Sequence, residues 1–179
     1  MKSPRVSVPY ARNQLLQLCQ LPQELEATAQ AAVEAMRRSY SPYSNFAVGA
    51  ALLHADHAIT AGCNYENCTL QSCCAERCAI VRANVEGRRT ARAIAIYGTP
   101  RQAPESSEET SAAVFCPPCG LCRQLLVEVA DLSGNLDSFE VVLVARDREH
   151  VKVMRLADLI PHKFGPADMG MDIAQLREN

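Results

Sequence analysis

The chain has 179 residues, 48% of them hydrophobic, with a formal net charge of −2, which suits one globular domain with its own core. Mild acidity speaks against a nucleic-acid binder, whose face is usually basic, and no apolar run reaches the roughly 18 residues that a membrane span needs. The nine cysteines, in a chain without a secretory signal, read as thiols or metal ligands rather than as a disulfide framework.

Residues 1–22 carry Lys2, Arg5 and Arg12, have no acid, and are interrupted by Pro4, Pro9 and Pro22. They read as a loose tail or short helix rather than a targeting segment, and the expected compartment is the cytoplasm. Residues 23–179 are expected to form a single domain without internal repeats. The spacing of Leu25, Ala29, Ala32, Val33 and Met36 predicts a helix over 24–40, with Pro22 before it and Pro42 unable to continue it. Phe46, Val48, Ala50 and Leu52 alternate as in a strand. The turn His54-Ala55-Asp56-His57 then leads into a second strand ending near Cys63, an antiparallel hairpin. A second helix is expected over 74–87, with Cys78, Val81 and Val85 turned inward and Gly87 as its stop. Residues 93–97 are a short apolar run, expected as a buried strand. Residues 99–113, rich in Pro, Ser and Glu, read as a mobile polar surface loop. A third helix is predicted over 119–131, with Leu121, Leu125, Leu126 and Val129 apolar, and strands follow at 140–145 and 151–155. Arg146 to His150 is too short for a parallel crossover, so these last strands are expected antiparallel. The order α-β-β-α-β-α-β-β implies a mixed sheet covered by helices on its faces.

The sharpest chemical signal combines Cys74-Ala75-Glu76 with Pro118-Cys119-Gly120-Leu121-Cys122. A lone C-x-x-C is weak, and C-x-E alone is nearly worthless; what counts is that both stand at predicted helix starts with a strand between them. In a first helical turn the sulfurs of Cys119 and Cys122 share a face. Cys74 begins the other helix, and the exposed N–H groups of helix starts favour thiolate over thiol. Cys73 is the alternative to Cys74, but only Cys74 gives the C-x-E offset. Three thiolates leave tetrahedral zinc one open position, the mark of a catalytic rather than a closed site. The pattern resembles the signature of zinc deaminases in its three-cysteine form.

These residues resemble the cytidine deaminase family, in particular its small homotetrameric three-cysteine zinc type. The resemblance runs over 41–169 and rests on five ordered blocks: Ser41-Pro42-Tyr43-Ser44-Asn45-Phe46 continuing to Leu52; Gly62-Cys63-Asn64-Tyr65-Glu66-Asn67; Cys74-Ala75-Glu76-Arg77; Pro118 to Gln124; and Leu159 to Pro166. It implies an α/β, three-layer α-β-α cytidine-deaminase-like fold, with a mixed five-stranded sheet whose last two strands are antiparallel. It implies a catalytic domain over 23–179, with 99–113 as an insertion. It also implies hydrolytic deamination of cytidine and deoxycytidine in pyrimidine salvage, with Zn2+ as cofactor and a nucleoside as small-molecule partner. No nucleic-acid or membrane partner is implied.

By the same resemblance Cys74, Cys119 and Cys122 hold zinc, which makes water acidic enough to react near neutral pH. Glu76 would take the water's proton, deliver it to ring N3, and carry a second proton to the leaving amine. The formal charge of zinc with three thiolates is −1, and Arg77 is implied as the offsetting cation near the sulfurs. Asn64 and Glu66 resemble a ribose-binding pair; two apart at a strand end they point the same way and could bracket one 3′-hydroxyl. Phe46 and Ala75 are implied at the base, and Phe164 is implied to reach the base in a neighbouring subunit. Read without the resemblance, Phe46 is a core strand residue, Phe164 a core anchor after Pro161 and Arg77 a solvated surface cation.

Two features depart from the family pattern. The segment 67–74 is about a residue short, with Leu70 where a Tyr contributing to a neighbour's site is expected, and the 99–113 loop is longer. Three rival readings stand beside the first. A polynucleotide deaminase would place a helix between the last two core strands and make them parallel, which the short Arg146–His150 connection opposes. A deaminase of a nucleoside-like antibiotic is opposed by Asn64 and Glu66, and a zinc scaffold without activity is opposed by Glu76.

Overall fold

The computed structural model describes residues 10–101 and 114–178. Six strands form one sheet in the order β1-β6-β5-β4-β2-β3. The strands are β1 (Leu15–Gln17), β2 (Phe46–Leu53), β3 (Ile59–Cys63), β4 (Ala93–Pro100), β5 (Glu140–Val144) and β6 (His150–Arg155), and the main helices are α1 (Gln23–Met36), α2 (Ala75–Val85) and α3 (Gly120–Ser133). Short helices α4 (Leu156–Leu159) and α5 (Ile173–Glu178) follow β6. Among the strands of the described residues only β4 and β5 pair in parallel, joined through α3; β5 and β6 are antiparallel, as the short connection predicts.

Alternation along each central strand separates two cores. Ala50, Leu52, Ile94, Ile96, Val141 and Leu143 face α2 and α3, while Ala47, Ala51, Leu53, Ala93, Ala95, Val142 and Val144 face α1. The result is the expected three-layer α-β-α arrangement. Leu25, Ala29, Ala32 and Met36 of α1 are buried as their spacing predicts. A Cβ on Gly49 would lie 2.0 Å from the Ala32 carbonyl oxygen, so glycine lets α1 lie directly on β2.

The structure departs from expectation in four places. It has six strands rather than five: Leu15 to Gln17, expected in a tail or short helix, pair with β6, and a 3-10 turn at Leu18–Gln20 follows. This pairing supplies β6's outer edge with backbone partners. β4 continues to Pro100, past the point where the polar loop was expected to begin; residues 102–113 of that loop lie outside the described residues. α1 ends at Met36 rather than Tyr40, because Tyr40 leaves the helix to accept a backbone bond from Glu66 N–H at 2.8 Å.

The fourth difference concerns which side of α2 is buried. Val81 and Val85 are 61% and 81% exposed, and the inward side is Ala75, Glu76, Ala79 and Ala83. The cause is close approach to β3: a Cβ on Gly62 would lie 2.4 Å from Ala79 N. At that close approach Ala79 is the residue that faces β3, and the valines are turned outward.

Candidate active site

The starts of α2 and α3 meet at one end of the sheet. Cys74 is the residue before the first turn of α2, and its carbonyl accepts from Cys78 N–H at 3.1 Å. Cys119 stands in the same position on α3 and accepts from Arg123 N–H at 2.9 Å. Both have extended backbone, with φ and ψ of −65° and 152° at Cys74 and −66° and 168° at Cys119. Cys122 lies in the first turn of α3, and the sulfurs of Cys74, Cys119 and Cys122 all fall within 4.8 Å of one another. Cys74 and Cys119 Sγ are 3.9 Å apart.

Exposure is graded across this triangle, from buried Cys122 through half-buried Cys74 to exposed Cys119. Burial pushes the Cys74 and Cys122 thiols up, and the charge of Glu76 adds to this. At Cys119 burial acts the same way but is outweighed by bonds from the Cys122 and Leu121 backbone and the neighbouring thiols, so its pKa falls. Three soft donors converging at two helix starts fit zinc.

Glu76 points from α2 toward the same triangle and is only 4% exposed. Burial raises its pKa, and the Cys122 thiol bonds to its carboxylate. A carboxyl group raised in this way is suited to both accepting and returning a proton near neutral pH. Ala75, beside it, is fully buried.

Phe46, at the start of β2, forms a wall with Gly98 and Cys116: a Cβ on Gly98 would lie 2.7 Å from Cys116 Sγ and 3.0 Å from Phe46 Cε1. Burial, with the charge of Glu76, pushes Cys116 up to about 11, so this wall adjoins the metal triangle.

Asn64 and Glu66 are both buried, and each grips the segment 39–48. Asn64 Oδ1 accepts from Val48 N–H at 2.8 Å and Ser39 Oγ at 2.5 Å, while Nδ2 donates to the Phe46 carbonyl at 2.9 Å. Glu66 accepts from the N–H groups of Tyr43 and Ser44, at 2.9 and 3.1 Å, and from the Ser44 hydroxyl. The Ser44 hydroxyl bond is the main reason its pKa lies below the ordinary carboxylate value. A second hydrogen on Asn64 Nδ2 and spare lone pairs on Glu66 remain for another partner.

This set of side chains falls within a match to the family described as the cytidine and deoxycytidylate deaminase zinc-binding region, over residues 22–132. The chain belongs to this deaminase family. It is 34% identical to a cytidine deaminase of Halalkalibacterium halodurans over 139 residues, covering 77% of this chain and 92% of that one. It is also 34% identical to a probable cytidine deaminase of Dictyostelium discoideum, covering 82% and 88%. Among solved structures, the cytidine deaminase of Burkholderia pseudomallei superposes with a TM-score of 0.62 at 35% identity, over 77% of this chain and 97% of that one.

Other residues expected in this deaminase's site lie farther out. Phe164 is 58% exposed, with its ring outside the chain's own core, while its carbonyl accepts from Gln124 Nε2 on α3 at 2.5 Å. Its neighbour Lys163 pairs with Asp131, also on α3. Arg77 is half-buried, and its charge acts on Cys78. Leu70 is exposed, at a positive φ of 59° in a turn organised by Asn67, whose Oδ1 accepts from Thr69 and Gln71 N–H. Sequence reasoning missed the roles of Cys116 and Arg123. Arg123 donates to the carbonyls of Pro118 at 2.9 Å and Leu159 at 3.1 Å, tying the Cys119 approach to the end of α4. Its position directly after Cys122 was the available signal.

Proposed function

We propose that this chain hydrolyses free cytidine and deoxycytidine to uridine and deoxyuridine with release of ammonia, a reaction of pyrimidine salvage. The observation that carries the proposal is the cysteine triangle together with buried Glu76, whose carboxylate is bonded by the Cys122 thiol. Cys74, Cys119 and Cys122 would hold zinc, which when bound supplies the positive charge that makes water acidic near neutral pH. Glu76 takes a proton from the attacking water and delivers it to N3 of the base, which makes C4 electrophilic. The water's oxygen adds to C4; Glu76 then takes the proton of the new hydroxyl and gives it to the amine, the C4–N bond breaks, and ammonia leaves as the C4 carbonyl forms. Phe46 and Ala75 would contact the base, Asn64 and Glu66 the sugar, and Arg77 would offset the negative charge of the metal centre. The catalytic domain is read as 23–179.

The antiparallel β5–β6 pair supports a free nucleoside over a polynucleotide as substrate, given the family pattern set out above. The outward apolar side chains Val81, Val85, Leu121 and Phe164 support a homo-oligomer, read as a homotetramer. No helix among the described residues is long and apolar enough to cross a membrane. None of the nine cysteines, all among the described residues, is in a disulfide, and we read the compartment as the cytoplasm.

The test is ammonia release from zinc-loaded protein offered cytidine, deoxycytidine, their monophosphates and adenosine. Turnover of the two nucleosides, ahead of their monophosphates, is expected. No release from either nucleoside would overturn the proposal.

A further inference from the structure

Asn64 and Glu66 are bonded to the segment 39–48, whose end is paired with β4 and whose turn at Ser39–Asn45 is held from outside by Arg101. Arg101 follows β4, on a different part of the chain, and makes bonds to three points of the segment. Its backbone N–H donates to the Asn45 carbonyl at 2.8 Å, and its Nε donates to Ser41 Oγ at 3.0 Å. A terminal nitrogen of the same guanidinium donates to the Ser39 carbonyl. Ser39 passes the constraint on directly, because its hydroxyl is bonded to Asn64 Oδ1 at 2.5 Å and to Ser41 Oγ at 3.2 Å. Asn45 closes the segment onto itself, donating to the Ser41 carbonyl at 3.0 Å, in the left-handed region at φ 54°. The cation also lies close enough to Glu66 to help keep it ionised.

We propose that Arg101 is the positioning residue of the sugar subsite, clamping Ser39 and Ser41 with one guanidinium and thereby setting the amide of Asn64 and the carboxylate of Glu66 toward the nucleoside. The proposal rests on the reading of this chain as a nucleoside deaminase. The planar fork is what the task requires: one group must reach a carbonyl and a hydroxyl in fixed directions, which a single ammonium does poorly. Cys74, Glu76, Cys119 and Cys122 belong to α2 and α3 and their starts, and none of Arg101's bonds goes to them. Loss of the clamp therefore acts on sugar binding and leaves the proton transfers alone.

Arg101→Ala and Arg101→Lys separate this role from a general contribution to stability. Cytidine kinetics, uridine binding by calorimetry and thermal melting are measured on zinc-loaded protein. Losing charge-assisted bonds to the segment is expected to raise KM for cytidine and Kd for uridine together, by roughly tenfold, with kcat within about twofold of wild type. Arg101→Lys is expected to recover less than half of that loss. Unchanged KM and Kd, a fall confined to kcat, or full recovery by lysine would each overturn the proposal. If Arg101→Ala does not fold, Arg101→Lys decides alone: raised KM and Kd support the clamp, and wild-type values overturn it. A wild-type chain that neither deaminates cytidine nor binds uridine overturns the deaminase reading and this inference with it. An active wild type with unaltered Arg101 variants overturns the inference only.

Discussion

Glu76 and Glu66 are two buried carboxylates with opposite treatment. At Glu76 burial outweighs the bonds from its own backbone and the Cys122 thiol, so its pKa rises; Glu66 receives a hydroxyl and two backbone N–H groups, so its pKa falls. The first is suited to exchanging protons, the second to staying ionised. Glu76→Gln should keep zinc and fold but lose about 10²–10⁴-fold or more in turnover, since the amide cannot shuttle protons; activity within a few-fold of wild type would refute the role. Glu66 makes a different prediction. Its lowered pKa contributes stability that is present above the ordinary value of 4.5 and lost as pH falls through the folded value. Thermal melts of Glu66→Gln should therefore lie below wild type at neutral pH, with the gap narrowing on acidification past that range. A gap constant with pH would contradict this account. The convergence of Cys74, Cys119 and Cys122 was legible because Cys74-Ala75-Glu76 and Cys119 to Cys122 each fall within one turn at a predicted helix start. What Asn64 and Glu66 hold was not, because their partners lie 16 to 25 positions away and are mostly backbone groups, which no side-chain pattern announces.

At the scale of elements, α2 matters most, since it starts directly after Cys74, the proposed ligand, and carries Glu76, the proposed proton shuttle. Its depth on the sheet is set by Gly62 beneath Ala79. A methyl at Gly62 would meet backbone at 2.4 Å, which no rotamer change relieves. Gly62→Ala should push α2 outward, with an overpacking cost of about 1–3 kcal/mol, and should weaken zinc retention because Cys74 moves with the helix. Urea melts and metal analysis after dialysis would check both; wild-type stability with full zinc would show that α2 tolerates the shift. The same geometry explains the main error in reading the helices. Periodicity identified an apolar stripe on α2 through Val81 and Val85, but the inward side is alanine, and the period cannot say which of two apolar sides faces the sheet. The α1 stripe had no such competitor and was read correctly. β1 escaped notice because three residues are too few for alternation to register, and its strand character comes from pairing with β6.

For the whole molecule, the outward valines of α2, Leu121 at the start of α3 and Phe164 in the C-terminal stretch leave apolar surface that further copies of the chain would cover. Light scattering should find a homotetramer. If Phe164 completes a neighbour's site, Phe164→Ala should weaken substrate use while leaving zinc bound, and stacking on a base would account for about 1–3 kcal/mol of the loss. Co-expressing Phe164→Ala with Glu76→Gln should then restore some activity, because some mixed sites hold both intact residues. A fully active monomer would overturn the assembly, and failed restoration in verified mixed oligomers would assign Phe164 to its own chain. The proposed ligand pair Cys74 and Cys119, 45 positions apart, has a further meaning. With a metal in place, these sulfurs turn the intervening chain into a closed ring fastened at two helix starts. The entropy of closing such a ring grows only logarithmically, by about 0.6 kcal/mol for each doubling in length. Extra residues between β4 and α3 therefore add little to the penalty of closure, and the ring can accept a long polar insert without its clasp being rebuilt.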